Sequence, residues 1–99
     1  MRTTTVTDVA STPNRTLIDV REDFEYSAGH APGAVNIPLR RLQDHLDELR
    51  RAAPVYIICQ SGGRSAQATA ALSAAGVDAI NVDGGTSAWI SAGLPLQTQ

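Results

Sequence analysis

Val55-Tyr56-Ile57-Ile58-Cys59-Gln60-Ser61-Gly62-Gly63-Arg64-Ser65 joins an apolar run to a loop with two consecutive glycines, and that loop to an alanine-rich stretch ending at Ala75. The run is short and β-branched at Val55, Ile57 and Ile58, which predicts a strand buried on both faces of a parallel sheet. Ser65 to Ala75 is composed of Ala, Gln, Thr, Ser and Leu, and Gly76 follows where a left-handed C-terminal cap sits. The small side chains of that helix allow close packing on the sheet. Strand, tight loop and helix in this order predict one unit of a layered α/β domain.

Working outward, Leu17-Ile18-Asp19-Val20 is a second buried strand, and shorter ones are expected at Ala34-Val35-Asn36-Ile37 and Ala79-Ile80-Asn81-Val82. Leu39, Leu42, Leu46 and Leu49 recur at helical spacing, with Arg40, Arg41, Asp44, Asp47 and Glu48 between them, and Pro38 suits the first turn. Short helices are expected over Asp23 to Ala28 and over Gly85 to Ala92, the second stopping before Gly93 and Pro95. The Thr-rich start, Thr3 to Ser11, suits either an edge strand around Val6 or a partly frayed terminus within residues 1–12; Pro13-Asn14 reads as a turn. The expectation is one domain over residues 1–99, with a mostly parallel sheet of four to five strands and helices on both faces.

Composition sets limits on partners. Ninety-nine residues, 42% hydrophobic and 18% charged, suffice for one modest core. A net charge of −2 gives no general attraction to nucleic acid or to an anionic membrane, so neither is expected as a partner. No apolar segment approaches the roughly 20 residues that span a bilayer. The N-terminus lacks the continuous apolar stretch of a secretory signal, and a single cysteine makes no intramolecular disulfide, so a cytoplasmic location is expected. The apolar faces are accounted for by one layered core, which suggests a monomer.

Cys59, the only cysteine, sits between a strand and a helix, where backbone N–H groups and the helix dipole favour the thiolate. A lone cysteine ending an apolar strand also suits plain core filling; the Gly-Gly-Arg-Ser that follows favours a nucleophile. If the sulfur accepts a second sulfur and becomes a persulfide, its anionic outer atom needs donors. A loop curled so that the amides of Gln60 to Ser65 point inward supplies them, Gly62 and Gly63 permit the curl, and Ser61 and Ser65 add hydroxyls. Arg64 has two available roles, facing an oxyanion-bearing donor or pinning the loop through a carboxylate. A thiolate with a lowered pKa attacks sulfur unaided, so no catalytic histidine is required.

The chain resembles single-domain members of the rhodanese (sulfurtransferase) family. The resemblance rests on four ordered segments: Leu17-Ile18-Asp19-Val20-Arg21-Glu22, Gly29-His30-Ala31-Pro32-Gly33-Ala34-Val35-Asn36-Ile37-Pro38, the Cys59 to Ser65 loop, and Asp83-Gly84-Gly85 with Ala88-Trp89 and Gly93-Leu94-Pro95. It implies a rhodanese-like α/β fold and a Cys59 nucleophile cradled by Gln60, Ser61, Gly62, Gly63, Arg64 and Ser65. Sulfane sulfur would pass from thiosulfate or a protein persulfide to cyanide or a thiol acceptor, with a sulfur-relay protein as a possible partner and no cofactor. The four residues between Cys59 and Arg64 resemble the sulfur-transfer members, whereas related phosphatases and arsenate reductases have a loop one residue longer, because a tetrahedral oxyanion needs a wider ring of amides. The competing expectation is a non-catalytic or redox-sensing interaction module on the same fold.

Asp19 and Arg21 follow a strand and are expected to support the loops as an ion pair, with His30 as a loop-organising hydrogen-bond donor. His45 is expected on the exposed face of the leucine helix and Trp89 in the core. Two distant histidines and one cysteine do not make a zinc site, so no metal is expected. Gly84-Gly85 and Gly62-Gly63-Arg64-Ser65 lack the spacing of a nucleotide P-loop. Arg40-Arg41 and Arg50-Arg51 are read as a solvated helix face.

Overall fold

Five strands form one sheet in the computed structural model of the chain, which describes residues 1–98. They are β1 (Arg2–Thr4), β2 (Thr16–Asp19), β3 (Val35–Asn36), β4 (Val55–Ile58) and β5 (Ala79–Val82), all paired parallel in the order β1-β5-β4-β2-β3. The helices are α1 (Val6–Ala10), α2 (Asp23–Ala28), α3 (Leu46–Ala52), α4 (Gly63–Ala74) and α5 (Gly85–Ser91), with a 3-10 segment at Leu39–His45 before α3.

Side chains alternate across a strand, so the apolar runs feed two core layers. Ile18, Val55, Ile57 and Ala79 pack with Leu42, Leu49, Ala68 and Leu72 under the 3-10 segment, α3 and α4. Leu17, Ile58 and Val82 pack with Val6, Val9 and Trp89 under α1 and α5. Burial on both faces is what makes β2 and β4 read as unbroken apolar runs.

The strand order places the site. The chain leaves β2 toward β3 on one side and leaves β4 toward β5 on the other, so the loops after these two neighbouring strands diverge. Such a switch point opens a crevice at the carboxyl ends of the strands. The segments beginning at Val20 and Cys59 flank it.

Three local expectations change. The edge strand lies at Arg2–Thr4, in register with Ile80–Val82, and Val6 opens α1 instead. Thr5 Oγ1 accepts from the Asp8 N–H at 3.1 Å as an N-cap, and Val6 and Val9, three apart, are both buried. The leucine helix is split, because the spacing of three between Leu39 and Leu42 suits 3-10 periodicity and α-helix begins only at Leu46, with Pro38 capping the 3-10 segment. Finally, β3 is only two residues long, α4 begins at Gly63 and α5 ends at Ser91.

Within α3, Leu49 is buried and Leu46 only half-buried. Leu49→Ala is expected to lower the free energy of unfolding by about 2–5 kcal/mol, and Leu46→Ala by about 1 kcal/mol. Urea unfolding followed by circular dichroism checks both; equal losses would contradict the assigned packing.

Candidate active site

Cys59 directly follows β4, and its residue is 1% exposed, so the sulfur lies beneath its own loop. Sγ accepts the Gly62 N–H at 3.1 Å and the Ser65 N–H at 3.2 Å. Ser65 Oγ lies 3.3 Å from Sγ and itself donates to the Gly62 carbonyl at 3.1 Å. With the thiol protonated, S–H donates to Ser65 Oγ; on ionisation the hydroxyl is free to turn and donate to sulfur. Burial pushes the thiol pKa up, but the Ser65 hydroxyl and the N–H groups of Ser65, Gly62 and Ser61 outweigh it and hold the pKa below its ordinary value. The loop N–H groups that hydrogen-bond to the sulfur are those of Gly62 and Ser65.

The carbonyls of Cys59 and Gln60, where the loop leaves β4, are met by α5. The Thr86 N–H and Oγ1 both donate to the Cys59 carbonyl, at 2.8 and 3.0 Å, and the Ser87 N–H donates to the Gln60 carbonyl at 2.9 Å. This approach is so close that a Cβ on Gly85, whose φ is +57°, would fall 2.4 Å from the Cys59 carbonyl oxygen. Gly62, at φ +109°, likewise faces the Gly84 backbone. The sequence reading missed Thr86 and Ser87, and took Gly84-Gly85 as part of a family segment and as a poor phosphate loop without assigning it a contact with the Cys59 loop. Two glycines at a strand-to-helix turn were the available signal that another backbone comes close.

Arg64 is directed away from the sulfur. Its guanidinium forks onto Glu25 of α2 at 2.8 and 3.0 Å, so of the two open roles the geometry has loop pinning. Glu25 also closes a capping box by accepting the Glu22 N–H at 3.0 Å. The hydrogen bonds from Arg64 hold the Glu25 carboxyl at about 2, against the opposing effect of burial. The same pairing raises the Arg64 pKa. Glu25 had no signal beyond its place three residues after Glu22.

Asp19 and Arg21 are both fully buried and paired at 2.8 Å. The guanidinium also donates to the Gly29 carbonyl at 2.8 Å and to Gln60 Oε1 at 3.0 Å, and Gln60 Nε2 donates to Ser87 Oγ at 2.9 Å. Asp19, Arg21, Gln60 and Ser87 thus chain together the segments after β2, β4 and β5. A buried ion pair needs this full set of partners to offset its desolvation. His30, also buried, has Nδ1 2.8 Å from the Tyr26 carbonyl, which only accepts, so the proton is on Nδ1. Its ring stacks on Tyr26 at 3.7 Å, and its backbone exchanges two hydrogen bonds of 2.9 Å with Gln97. His45 pairs with Glu48 at the surface, and Trp89 is in the core with its indole N–H on the Pro95 carbonyl. Arg40 pairs with Glu22 and Arg50 with Asp47.

A family model described as the rhodanese-like domain matches residues 4–92. The chain belongs to the rhodanese-like domain family. A sulfurtransferase of Allochromatium vinosum is 35% identical over 89% of this chain and 83% of its own length. A putative sulfur carrier protein of Bacillus subtilis is 39% identical over 82% of this chain, which spans 44% of that protein. The structure of a rhodanese-related protein from Thermoplasma volcanium superposes with a TM-score of 0.92 at 33% identity, covering all of both chains. Four of the curated relatives are much longer, the chain spanning between 37% and 59% of their length. At the level of the family, the rhodanese-like domain and relatives named as sulfurtransferases support sulfur transfer. Among the described residues of this rhodanese-like domain, no helix is long and apolar enough to cross a membrane.

Two outcomes follow from this rhodanese-like site. Gly85→Ala forces a side chain into the Cys59 carbonyl and is expected to lower stability by about 1–3 kcal/mol and to change the reactivity of Cys59 toward a thiol reagent; an unaltered melting temperature and alkylation rate would contradict the close approach. Because the folded pKa of Glu25, about 2, lies below its ordinary 4.5, its pairing stabilises fully above pH 4.5 and the contribution is lost as pH falls toward 2. Melting temperatures of the wild type and Glu25→Gln should therefore converge over that interval, and a constant gap would exclude the linkage.

Proposed function

We propose that this domain is a sulfurtransferase in which Cys59 carries sulfane sulfur as a persulfide. The observation that carries the reading is the convergence of two N–H groups and the Ser65 hydroxyl on the sulfur of the only cysteine. The thiolate attacks the outer sulfur of thiosulfate or of a protein persulfide. Its electron pair forms the new S–S bond, and the old S–S bond breaks with its pair leaving on sulfite or on the donor thiolate. The outer sulfur, now bound to Cys59, is anionic, and the loop amides from Gln60 to Ser65 are the donors that would hold it. A thiol acceptor or cyanide then attacks that outer sulfur and returns the Cys59 thiolate. Charge and electrons balance in both steps without a metal or a cofactor.

Arg64 acts in this scheme by fixing the loop through Glu25, and Asp19, Arg21 and His30 by fixing the segments around it. The likeness to a putative sulfur carrier supports a sulfur-relay protein as donor or acceptor. We place the domain in the cytoplasm, where a thiol stays reduced, and as a monomer.

Intact mass after incubation with thiosulfate tests the cycle. Wild type should gain the mass of one sulfur and lose it to cyanide, and Cys59→Ser should gain none; an adduct that survives Cys59→Ser would refute the role of Cys59. A chain that takes sulfur from no donor would instead be an interaction module. Ser65→Ala removes a hydroxyl donor, so the pH profile of iodoacetamide alkylation at Cys59 should move to higher pH. An unmoved profile would remove Ser65 from the stabilisation of the thiolate.

A further inference from the structure

A cleft of about 400 Å³ runs from Gln60 and Thr86, which flank Cys59 in the loop and in α5, out past Gly29 to Phe24, Ile90 and Leu96. Phe24 is 71% exposed, Ile90 51% and Leu96 41%. Met1 and Val35 are the other large exposed hydrophobics among the described residues, so three of the five collect on this one cleft, which reaches the Cys59 loop at Gln60. Scattered exposed apolar side chains are ordinary, but a grouped set along a cleft that reaches the loop of the nucleophile marks a binding surface.

The charges of the cleft narrow the occupant. Its two ionic lining residues, Arg21 and Glu25, are both committed, Arg21 to buried Asp19 and Glu25 to Arg64. Arg40 of the 3-10 segment is likewise held by Glu22. A dianion such as thiosulfate finds no unpaired guanidinium here, and drawing Arg64 toward it would leave Glu25 without its partner. An uncharged apolar segment enters without disturbing either ion pair and gains burial against Phe24, Ile90 and Leu96. The volume suits two or three side chains rather than a folded surface.

We propose that the preferred sulfur donor of this domain is a persulfide on a protein cysteine flanked by apolar residues in an extended segment, which docks across Phe24, Ile90 and Leu96 and presents its outer sulfur to Cys59. The inference rests on the sulfurtransferase reading for its chemistry and on the cleft for its specificity. In the step, the Cys59 thiolate bonds to the outer sulfur, the donor S–S bond breaks, and the electron pair leaves on the donor cysteine as thiolate. No further reactant is needed.

The test compares three donors by the rate at which Cys59 gains a sulfur: a capped pentapeptide persulfide with leucine on each side of its cysteine, the same peptide with glycine on each side, and thiosulfate. The leucine-flanked donor is expected to load with a kcat/KM about tenfold above the glycine-flanked one. In Phe24→Ser/Ile90→Ser, whose side chains are solvent-exposed and outside both cores, that ratio should fall below about threefold. Equal rates for the two peptides, or thiosulfate as the fastest donor, would overturn the proposal while leaving persulfide chemistry at Cys59 intact. Fluorescence anisotropy of the leucine-flanked peptide with serine in place of its cysteine reads docking independently of sulfur transfer. Binding by wild type that the double variant loses supports the docking surface, and if no donor then loads it is the sulfurtransferase reading that fails; absence of binding overturns the proposal. A wild-type dimer that the double variant converts to monomer would also overturn it, by assigning the patch to a second copy of the chain.

Discussion

The arrangement of this domain depends on the orientation of a few peptide units after β4. A sulfur that is to carry negative charge while buried needs N–H donors, and a loop that turns its amides inward has carbonyls left to satisfy on the outside. Here the carbonyls of Cys59 and Gln60, at the start of the loop, are taken by the N–H groups and hydroxyl at the start of α5, at 2.8 to 3.0 Å. The start of α5 therefore acts on the site without touching the sulfur. Gly85 is what lets the two backbones approach, and β5 is the strand that delivers them, adjacent to β4 in the sheet.

Charge around the loop is arranged for rigidity. Arg21 is closed on Asp19 and Arg64 on Glu25, and both guanidiniums reach across segments that are distant in the chain. Through Gln60 and Ser87 the first pair links the ends of three parallel strands. The second ties α4 to α2 across the crevice at the topological switch point. With the cations so occupied, the dipoles of loop N–H groups remain to stabilise the sulfur, which suits a single anionic atom better than a bulky oxyanion. The surface left open beside the loop is apolar.

Much of this was legible in the chain. The buried runs at Leu17–Val20 and Val55–Ile58 mark β2 and β4 because both of their faces are covered, and the Cys59 to Ser65 loop is legible because glycine pairs and a lone thiol between strand and helix have few uses. The N-terminal strand was expected around Val6 and α1 was missed, because a run of threonines has no hydrophobic period; register against β5 is what makes Arg2–Thr4 a strand. The leucine helix was read as one element because its spacing fits both a 3-10 turn followed by an α-helix and a single α-helix. Glu25, Thr86 and Ser87 carried no local signal, since a carboxylate or hydroxyl in a first helical turn is ordinary.

By itself the sequence determined the α/β class, the two central strands, the thiol and the glycines that let its loop curl, because each follows from local periodicity or from a backbone conformation that few residues adopt. Only the tertiary structure decided which way Arg64 points, what satisfies the outward carbonyls of the loop, and that Phe24, Ile90 and Leu96 share one cleft. Those depend on strand order β1-β5-β4-β2-β3, which brings residues tens of positions apart to the same end of the sheet. Spatial neighbourhood of that kind is set by how the layers pack, and no local pattern encodes it.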